Sequence, residues 1–311
     1  MLKSGQRERG FYAHQIFEYY GISRQAHYKW VQTEDSRMLQ EEIILQYISS
    51  IRQNLPKLGG RKLHYLLQKK SNEFGFTVGR DRLFDLLREH HLLIERNKKY
   101  VSTTHSKHRF YIYDNLLKEL DEISRNQALV ADITYLETLQ GFCYLALITE
   151  VYSRKIVGYD LSESLCLEGS LRALQMALQE TKAPKGMIHH SDRGIQYCSK
   201  AYVQRLKDHH LQISMAEKGN PYENAVAERV NGILKEEFLL DQRFPSFLHA
   251  SKATKEAIHL YNTQRPHMSL EYQTPDEVYN KTDSVEDFDD LSLPLRGILP
   301  KSSQASLTLR L

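Results

Sequence analysis

Asp132 lies in the middle of an apolar run, ALVADITYLE, from Ala128 to Glu137. Burying an unpaired carboxylate costs several kcal/mol, so this acid either sits at a strand edge near water or is held by a cation. Two further acids raise the same question. Asp192 follows the strand-like GMIHH in HHSDRGIQY, and Glu228 lies in the helical stretch ENAVAERVNGILKEEF. Neighbouring strands are about 5 Å apart, so Asp132 and Asp192 at adjacent strands can share one ion. Hard oxygen donors without a His/Cys set suit Mg²⁺ or Mn²⁺. Two such ions about 3.5–4 Å apart clamp the attacking and leaving oxygens of a phosphoryl transfer.

The helix carrying Glu228 tests this independently. At about 100° per residue, Val226, Val230 and Ile233 form one apolar face. Asn224, Glu228, Asn231 and Lys235 project from the other. A carboxylate grouped with two amides and a lysine suits an ion and a phosphate-bearing strand. An ordinary amphipathic helix with a wet polar face gives the same pattern. His189, His190, Arg193 and Gln196 flank Asp192, where they either orient the acid, contact phosphate or bond within a loop. Asn262, Arg265 and His267 cluster at a helix end, with a structural role and a DNA contact both open. The acids Asp283, Glu286, Asp287, Asp289 and Asp290 read as a solvated run.

The elements that must position these groups follow from periodicity. ALVADITYLE, FCYLALITEVY and RKIVGYDLS read as three meandering strands. The helix EGSLRALQMALQET, the strand GMIHHSD, the helix SKAYVQRLKDHH and the strand QISMA come after them. That order means α/β with a mixed sheet. Ahead of it, FYAHQIFEYYGISRQAHYKWVQ has the spacing of a helix-turn-helix, with Gly21 as breaker and Ser23 as N-cap. Arg24, Gln25, His27, Tyr28 and Lys29 are then available to DNA. A helix from Ser36 stops near Pro56, and two amphipathic helices follow, with Gly59–Gly60 as hinge and Arg61, Lys62, Arg80 and Arg82 at their starts, where phosphate contacts are common. The stretch from Arg96 to Phe110 carries five basic residues, Lys98 and Lys99 among them, and no acid; it reads as an extended linker able to follow a DNA backbone.

The expected division is a helix-turn-helix segment over 1–35, a helical DNA-binding region over 36–95, and a basic linker over 96–127. The α/β core follows over 128–280, then an acidic, Ser-rich tail over 281–311 that reads as poorly ordered. Charge is unevenly spread: residues 1–127 hold 22 Lys and Arg against 15 Asp and Glu, and residues 128–311 hold 20 against 24. A basic front and an acidic rear suggest a polyanion-binding arm beside a cation-binding core. No apolar run is long enough for a membrane span, and no secretory signal is read at the N-terminus. Cys143, Cys166 and Cys198 have no zinc spacing, which fits a reducing cytoplasm.

The motifs DITY (Asp132–Tyr135), HSDRGIQY (His190–Tyr197), NPYENAVAERVNGILKEE (Asn220–Glu237) and YNTQRPHMSLEYQTP (Tyr261–Pro275) resemble those of bacterial insertion-sequence transposases of the IS-three type, specifically the product with the integrase-like core. The 35 residues between Asp192 and Glu228 match the DDE spacing of the superfamily that includes retroviral integrases. Lys235 falls where this family carries a basic residue, and the N-terminal helices look like its helix-turn-helix segments. The resemblance implies an RNase H-like core, with Asp132, Asp192 and Glu228 as catalytic metal ligands for Mg²⁺ or Mn²⁺, two ions being expected. It also implies DNA strand cleavage and strand transfer at element ends.

The expected DNA contacts are Lys235, Asn224, Asn231, Arg193, Arg24, Lys29, Arg61, Lys62, Lys98 and Lys99. The partners are the element's terminal inverted repeats, target DNA, at least a second copy of the chain and an upstream-frame DNA-binding product. Two departures from the family stand out: Leu129 replaces a usual Trp, and Glu223 replaces the Asp of YDNA. The alternatives are a DNA-binding repressor without catalysis and a plain RNase H-like nuclease, which would cleave without joining.

Overall fold

The computed structural model describes residues 17–95, 110–120, 122–217, 224–281 and 293–294. The chain divides into two units. The first comprises residues 1–53 and 63–93; the second comprises residues 54–62 and 94–311.

Helix α1 spans Arg24–Asn54, α2 Gly60–Lys69, α3 Ser71–Phe74 and α4 Arg80–Glu89. Gly21, at φ +61°, ends the short helical turn before α1. Its neighbour Ile22 donates to the Phe17 carbonyl, as at a glycine-closed helix end. Ser23 caps α1, its hydroxyl accepting from the Ala26 amide at 3.1 Å. The expected boundary at residue 35 is corrected: α1 runs unbroken through it for 31 residues. VQTEDSR contains no Gly or Pro, and Thr33 satisfies its hydroxyl on the Lys29 carbonyl within the helix. In the first unit the buried apolar residues include Ile44 and Ile48 of α1, Leu63 and Leu67 of α2, and Leu83, Leu86 and Leu87 of α4.

The second unit is built on strands β1 (Glu122–Ile123), β2 (Ala128–Thr138), β3 (Gly141–Glu150), β4 (Ile156–Ser162), β5 (Ile188–Ser191), β6 (Gln212–Met215) and β7 (Arg243–Phe244). Its helices are α5 (Leu167–Thr181), α6 (Ile195–Cys198), α7 (Lys200–Asp208), α8 (Ala225–Glu237), α9 (Phe247–Thr263) and α10 (Pro275–Asn280). The main sheet has the order β4-β3-β2-β5-β6, with β7 added to β2. β2, β3 and β4 form the antiparallel meander; β5 and β7 run parallel to β2, and β6 parallel to β5. This three-strand meander followed by parallel strands, with helices on both faces, is the RNase H-like arrangement.

Alternation along β2 assigns its two faces. Leu129 and Ala131 pack with Ala173, Leu174 and Ala177 of α5 and Tyr202 and Leu206 of α7. Ala128 and Val130 pack with Ala227 of α8. Gly158 lets α5 approach β4: a Cβ there would stand 2.2 Å from the Ala173 carbonyl.

Two further boundaries differ from expectation. Residues 110–120 and 122–127, placed in the linker, belong to the core unit. Asn115 caps a 3-10 turn over Leu116–Glu119, and Leu116, Leu117, Leu120 and Ile123 pack on Ala128 and Val130. Their apolar spacing, not the basic run ahead of them, decides their place. Leu293–Pro294 pairs with β1; the remainder of the expected tail beyond Lys281, with its acidic run, lies outside the described residues, as do Lys98 and Lys99.

Candidate active site

The site forms where the sheet loses a strand. β5 pairs with β2 as far as Ala131, opposite Ser191. β7 takes up the same edge only from Glu137, opposite Arg243. Residues 132–136 of β2 therefore present a notch in the sheet edge, and Asp132 is the first residue inside it. Asp192 is the first residue beyond the end of β5. α8 lies against β2 and supplies side chains to the notch. The Asn224 amide donates to the Ala131 carbonyl at 3.3 Å, and the Asn231 amide donates to Asp132 Oδ2 at 2.7 Å. One turn beyond Asn231, the Lys235 ammonium stands 4.3 Å over the ring of Tyr135. Asp132, Asp192 and Glu228, far apart in sequence, thus share one electrostatic environment.

Their charges show this coupling. Burial pushes the Asp132 carboxyl up to about 7, with repulsion from Asp192 next. The hydrogen bonds from Asn231 and the Ile133 backbone oppose the rise, and Glu228 adds to it. Glu228 is the most exposed of the three, yet its carboxyl is raised too, first by the packing on its inner side and then by Asp192. The Lys235 ammonium is lowered by burial, while Asp132 and Asp241 pull it back up. Asp192 accepts from the Gly194 amide at 2.9 Å, which fixes the carboxylate at the turn into α6.

The residues around the acids divide differently from their sequence grouping. Asn224 and Asn231, expected as DNA contacts, are buried and their amides brace β2 and Asp132, while Glu228 on the same side of the helix stays exposed. Arg193 donates through Nε to the Ala216 carbonyl at 2.7 Å, holding the end of β6. His190 bonds Ser214 Oγ at 2.8 Å and His189 bonds the Tyr202 hydroxyl at 3.0 Å, and both are buried. Gln196 donates to the Leu165 carbonyl.

Lys62 is a correction. It is 8% exposed, and its ammonium is held by both oxygens of Glu237 at 2.9 and 3.0 Å. It is a buried ion-pair partner and not a phosphate contact. Arg265 completes that cluster, its guanidinium gripping Glu237 at 2.7 and 2.9 Å. Asn262 brackets Ile156 through both its amide atoms. Arg24, Lys29 and Arg61 are exposed. Sequence reasoning missed Tyr135 as Lys235's partner and Glu237 as the shared acceptor. DITY and KEE contain both residues, but nothing local announces partners that lie between 28 and 175 positions away.

The donor set fits a hard divalent ion. It is all oxygen: three carboxylates plus Asn231 Oδ1, a buried amide oxygen that accepts no hydrogen bond among the described residues. Among the described residues, no three acidic, His or Cys side chains converge closely enough to enclose an ion as placed.

Two family models described as integrase core domain match the chain, over residues 124–221 and 209–275. An insertion element IS600 31 kDa protein from Shigella sonnei is 38% identical over 255 residues, covering 81% of this chain and 92% of that protein. The transposase InsF for insertion sequence IS3A from Escherichia coli (strain K12) is 31% identical over 229 residues, covering 72% and 78%. The chain belongs to the insertion-sequence transposases of the IS-three type. This transposase is a polynucleotidyl transferase of the DDE class, acting in DNA transposition, and its family implies a divalent metal cofactor, DNA binding and assembly on DNA. Among solved structures, the HTLV-2 integrase catalytic core domain in complex with magnesium aligns with a TM-score of 0.42 at 17% identity, over 51% of this chain and 99% of that one. No described helix of the transposase is long and apolar enough to cross a membrane.

Proposed function

We propose that Asp132, Asp192 and Glu228 are the catalytic metal ligands of this transposase, for Mg²⁺ or Mn²⁺, and that two ions are held. The observation carrying this is the Asn231–Asp132 hydrogen bond across the notch, which brings the Glu228 helix against the strand bearing the first acid, with Asp192 at the neighbouring strand end. Ions bound there supply charge neutralisation at the attacked phosphate and a lower pKa for the attacking oxygen.

The chain's own residues do the rest. Asn231 fixes the rotamer of Asp132, and the Gly194 amide fixes that of Asp192. Lys235, whose ammonium stands over Tyr135, takes a non-bridging oxygen of the scissile phosphate in this reading. In the first step water attacks phosphorus at the element end; the new P–O bond forms as the bond to the 3′-oxygen breaks, and that oxygen leaves as a hydroxyl. In the second, the same 3′-hydroxyl attacks a phosphodiester of the recipient strand and displaces its 3′-oxygen. Neither step needs a covalent protein intermediate. Arg24, Lys29 and Arg61, with Lys98 and Lys99, are the DNA contacts proposed outside the core. The N-terminal helices then bind the terminal repeats, a second copy of the chain is needed to pair two ends, and an upstream-frame product assists recognition.

The test is strand cleavage and joining on a labelled duplex of the element end with Mg²⁺, comparing the wild type with Asp192→Asn. Product from the wild type alone supports the assignment. Equal product from both overturns it. Cleavage without joining would make the protein a nuclease.

A further inference from the structure

Two lysines at α8 are held in opposite ways. Lys62 is locked to both oxygens of Glu237, so its charge is neutralised inside the fold. Lys235 is half-buried, yet among the described residues its ammonium makes no ion pair and donates no hydrogen bond. It stands instead over a ring, 4.3 Å from the centroid of Tyr135. The missing strand explains how. α8 lies on the Asp132 face of β2, where Asn231 bonds that acid. Tyr135 points to the other face by alternation. An ammonium that starts from α8 and reaches the Tyr135 ring therefore crosses the edge of β2 within residues 132–136, which neither β5 nor β7 closes. Asp132 is the first residue of that gap, and Lys235 senses its charge. The Tyr135 ring is itself half-buried, and Phe142 meets it edge to face, centroids 5.2 Å apart at 83°, which steadies its plane.

A ring face and a carboxylate hold a cation differently. A carboxylate neutralises the ammonium and competes with any incoming anion. A π-face attracts the cation through its quadrupole but carries no net charge. The ammonium over Tyr135 keeps its full charge and its three N–H donors, while its flexible four-carbon stem is restrained. A lysine that is to receive a phosphate oxygen needs both. We propose that Tyr135 is a positioning residue: its ring holds the Lys235 ammonium in the notch, charged and without a competing carboxylate, where it meets the non-bridging oxygen of the scissile phosphate. This rests on the reading of Lys235 as a phosphate contact and adds the residue that aims it.

The test uses the full chain and the labelled end duplex with Mg²⁺. Tyr135→Leu and Tyr135→Met both remove the ring face, so a fold lost in one leaves the other to measure; Tyr135→Phe keeps it. Each substitution is made in the wild type and in Lys235→Gln. With Lys235 present, Tyr135→Leu and Tyr135→Met should lower kcat about tenfold, the scale of a desolvated cation–π contact, and Tyr135→Phe should recover most of that loss. Duplex affinity in Tyr135→Leu should keep the wild-type dependence on salt, because the charge remains, whereas Lys235→Gln should reduce that slope by about one. In the Lys235→Gln background, removing the ring should cost no further activity. A ring that only supports the fold would cost as much in both backgrounds, and that result overturns the proposal. An undiminished rate in both Tyr135→Leu and Tyr135→Met also overturns it. So does a Tyr135→Phe as slow as either, which would assign the effect to the hydroxyl. Lys235→Gln with wild-type activity would instead sink the phosphate contact itself, whatever Tyr135 does.

Discussion

Asn231 donates its amide to Asp132 at 2.7 Å, bridging residues 99 apart in sequence, and its own carbonyl oxygen accepts nothing among the described residues. A side chain that donates to Asp132 orients the acid, and if Asp132 holds a metal as proposed, Asn231 is its second-sphere partner. Second-sphere partners of this kind contribute about 10–100-fold to metal affinity. Asn231→Ala is therefore expected to raise the Mg²⁺ concentration for half-maximal cleavage by about that factor, with the maximal rate partly recovered at saturating metal. Asn231→Asp should do worse than Ala, because it adds a negative charge beside Asp132 in place of a donor. A metal titration of cleavage rate for the three proteins decides it; an unchanged requirement in Asn231→Ala would remove Asn231 from the site.

Repulsion between Asp132 and Asp192 leads to a second expectation. Asp192 raises the Asp132 carboxyl, so the two ionised acids oppose one another in the metal-free fold. Asp192→Asn should abolish strand cleavage yet leave the metal-free protein at least as heat-stable as the wild type. It should also lose the rise in melting temperature that Mg²⁺ gives the wild type, since a ligand stabilises only the state it binds. Melting curves with and without Mg²⁺ report both effects. A large metal-free loss of stability in Asp192→Asn would mean the carboxylate serves the fold.

Much of this was legible in the sequence, and the failures share one cause. Asp132, Asp192 and Glu228 announce themselves by chemistry: an acid in an apolar run, another at a strand end, a third on a helix. The strands were legible because β2 and β3 carry long apolar runs closed by a short turn at Leu139–Gln140. The helical wheel of α8 groups Asn224, Asn231 and Lys235, but angle alone does not say what lies opposite. Asn224 and Asn231 meet β2, while Glu228 on the same side faces water. Lys62 misled for the same reason. A lysine at a helix start looks like a phosphate contact until Glu237, 175 residues on, is brought against it. α1 runs through the boundary expected at 35 because VQTEDSR holds no helix-breaking residue.

The Lys62–Glu237–Arg265 cluster carries a stability prediction. Glu237 ends α8 nine residues after Glu228, and Arg265 is almost completely buried. Two cations share one carboxylate, which holds Glu237 below its usual range through Arg265 and Lys62 in spite of burial, and Lys62 is lowered to about 8, mostly by burial. Removing one member of a buried, hydrogen-bonded charge set costs about 3–5 kcal/mol. Glu237→Gln should cost most, because it strands two cations. Arg265→Ala should cost less than Glu237→Gln, because Lys62 still neutralises the carboxylate. Arg265→Lys should not restore stability, since it loses the two-pronged geometry. Urea unfolding of the second unit's signal measures the order; Arg265→Ala as costly as Glu237→Gln would contradict the shared-acceptor account.

His267 adds an acid sensitivity whose sign can be worked out. The Tyr261 hydroxyl donates to the Arg154 carbonyl at 3.0 Å, so toward His267 Nε2, at 3.1 Å, it acts as acceptor, and the neutral ring carries its proton on Nε2. Burial, then the charges of Arg265, Lys62, Arg154 and Arg229, lower the imidazole to about 2. The unfolded chain binds a proton near 6.5 and the folded chain does not, so this contribution is fully present above about pH 6.5. It falls as the pH drops below that value and levels off only near the folded pKa. At pH 5 the loss is about 2 kcal/mol relative to pH 8. Asp132 works in the opposite direction, its raised carboxyl favouring the fold as the pH falls from about 7. The measurement is therefore the difference between the wild type and His267→Gln, in which the Asp132 contribution cancels. Gln can still donate to the Tyr261 hydroxyl. The wild type should lose stability faster than His267→Gln between pH 6.5 and 5, and the two curves should run parallel above pH 7.5. Parallel curves over the whole range would show that the ring takes up a proton inside the fold.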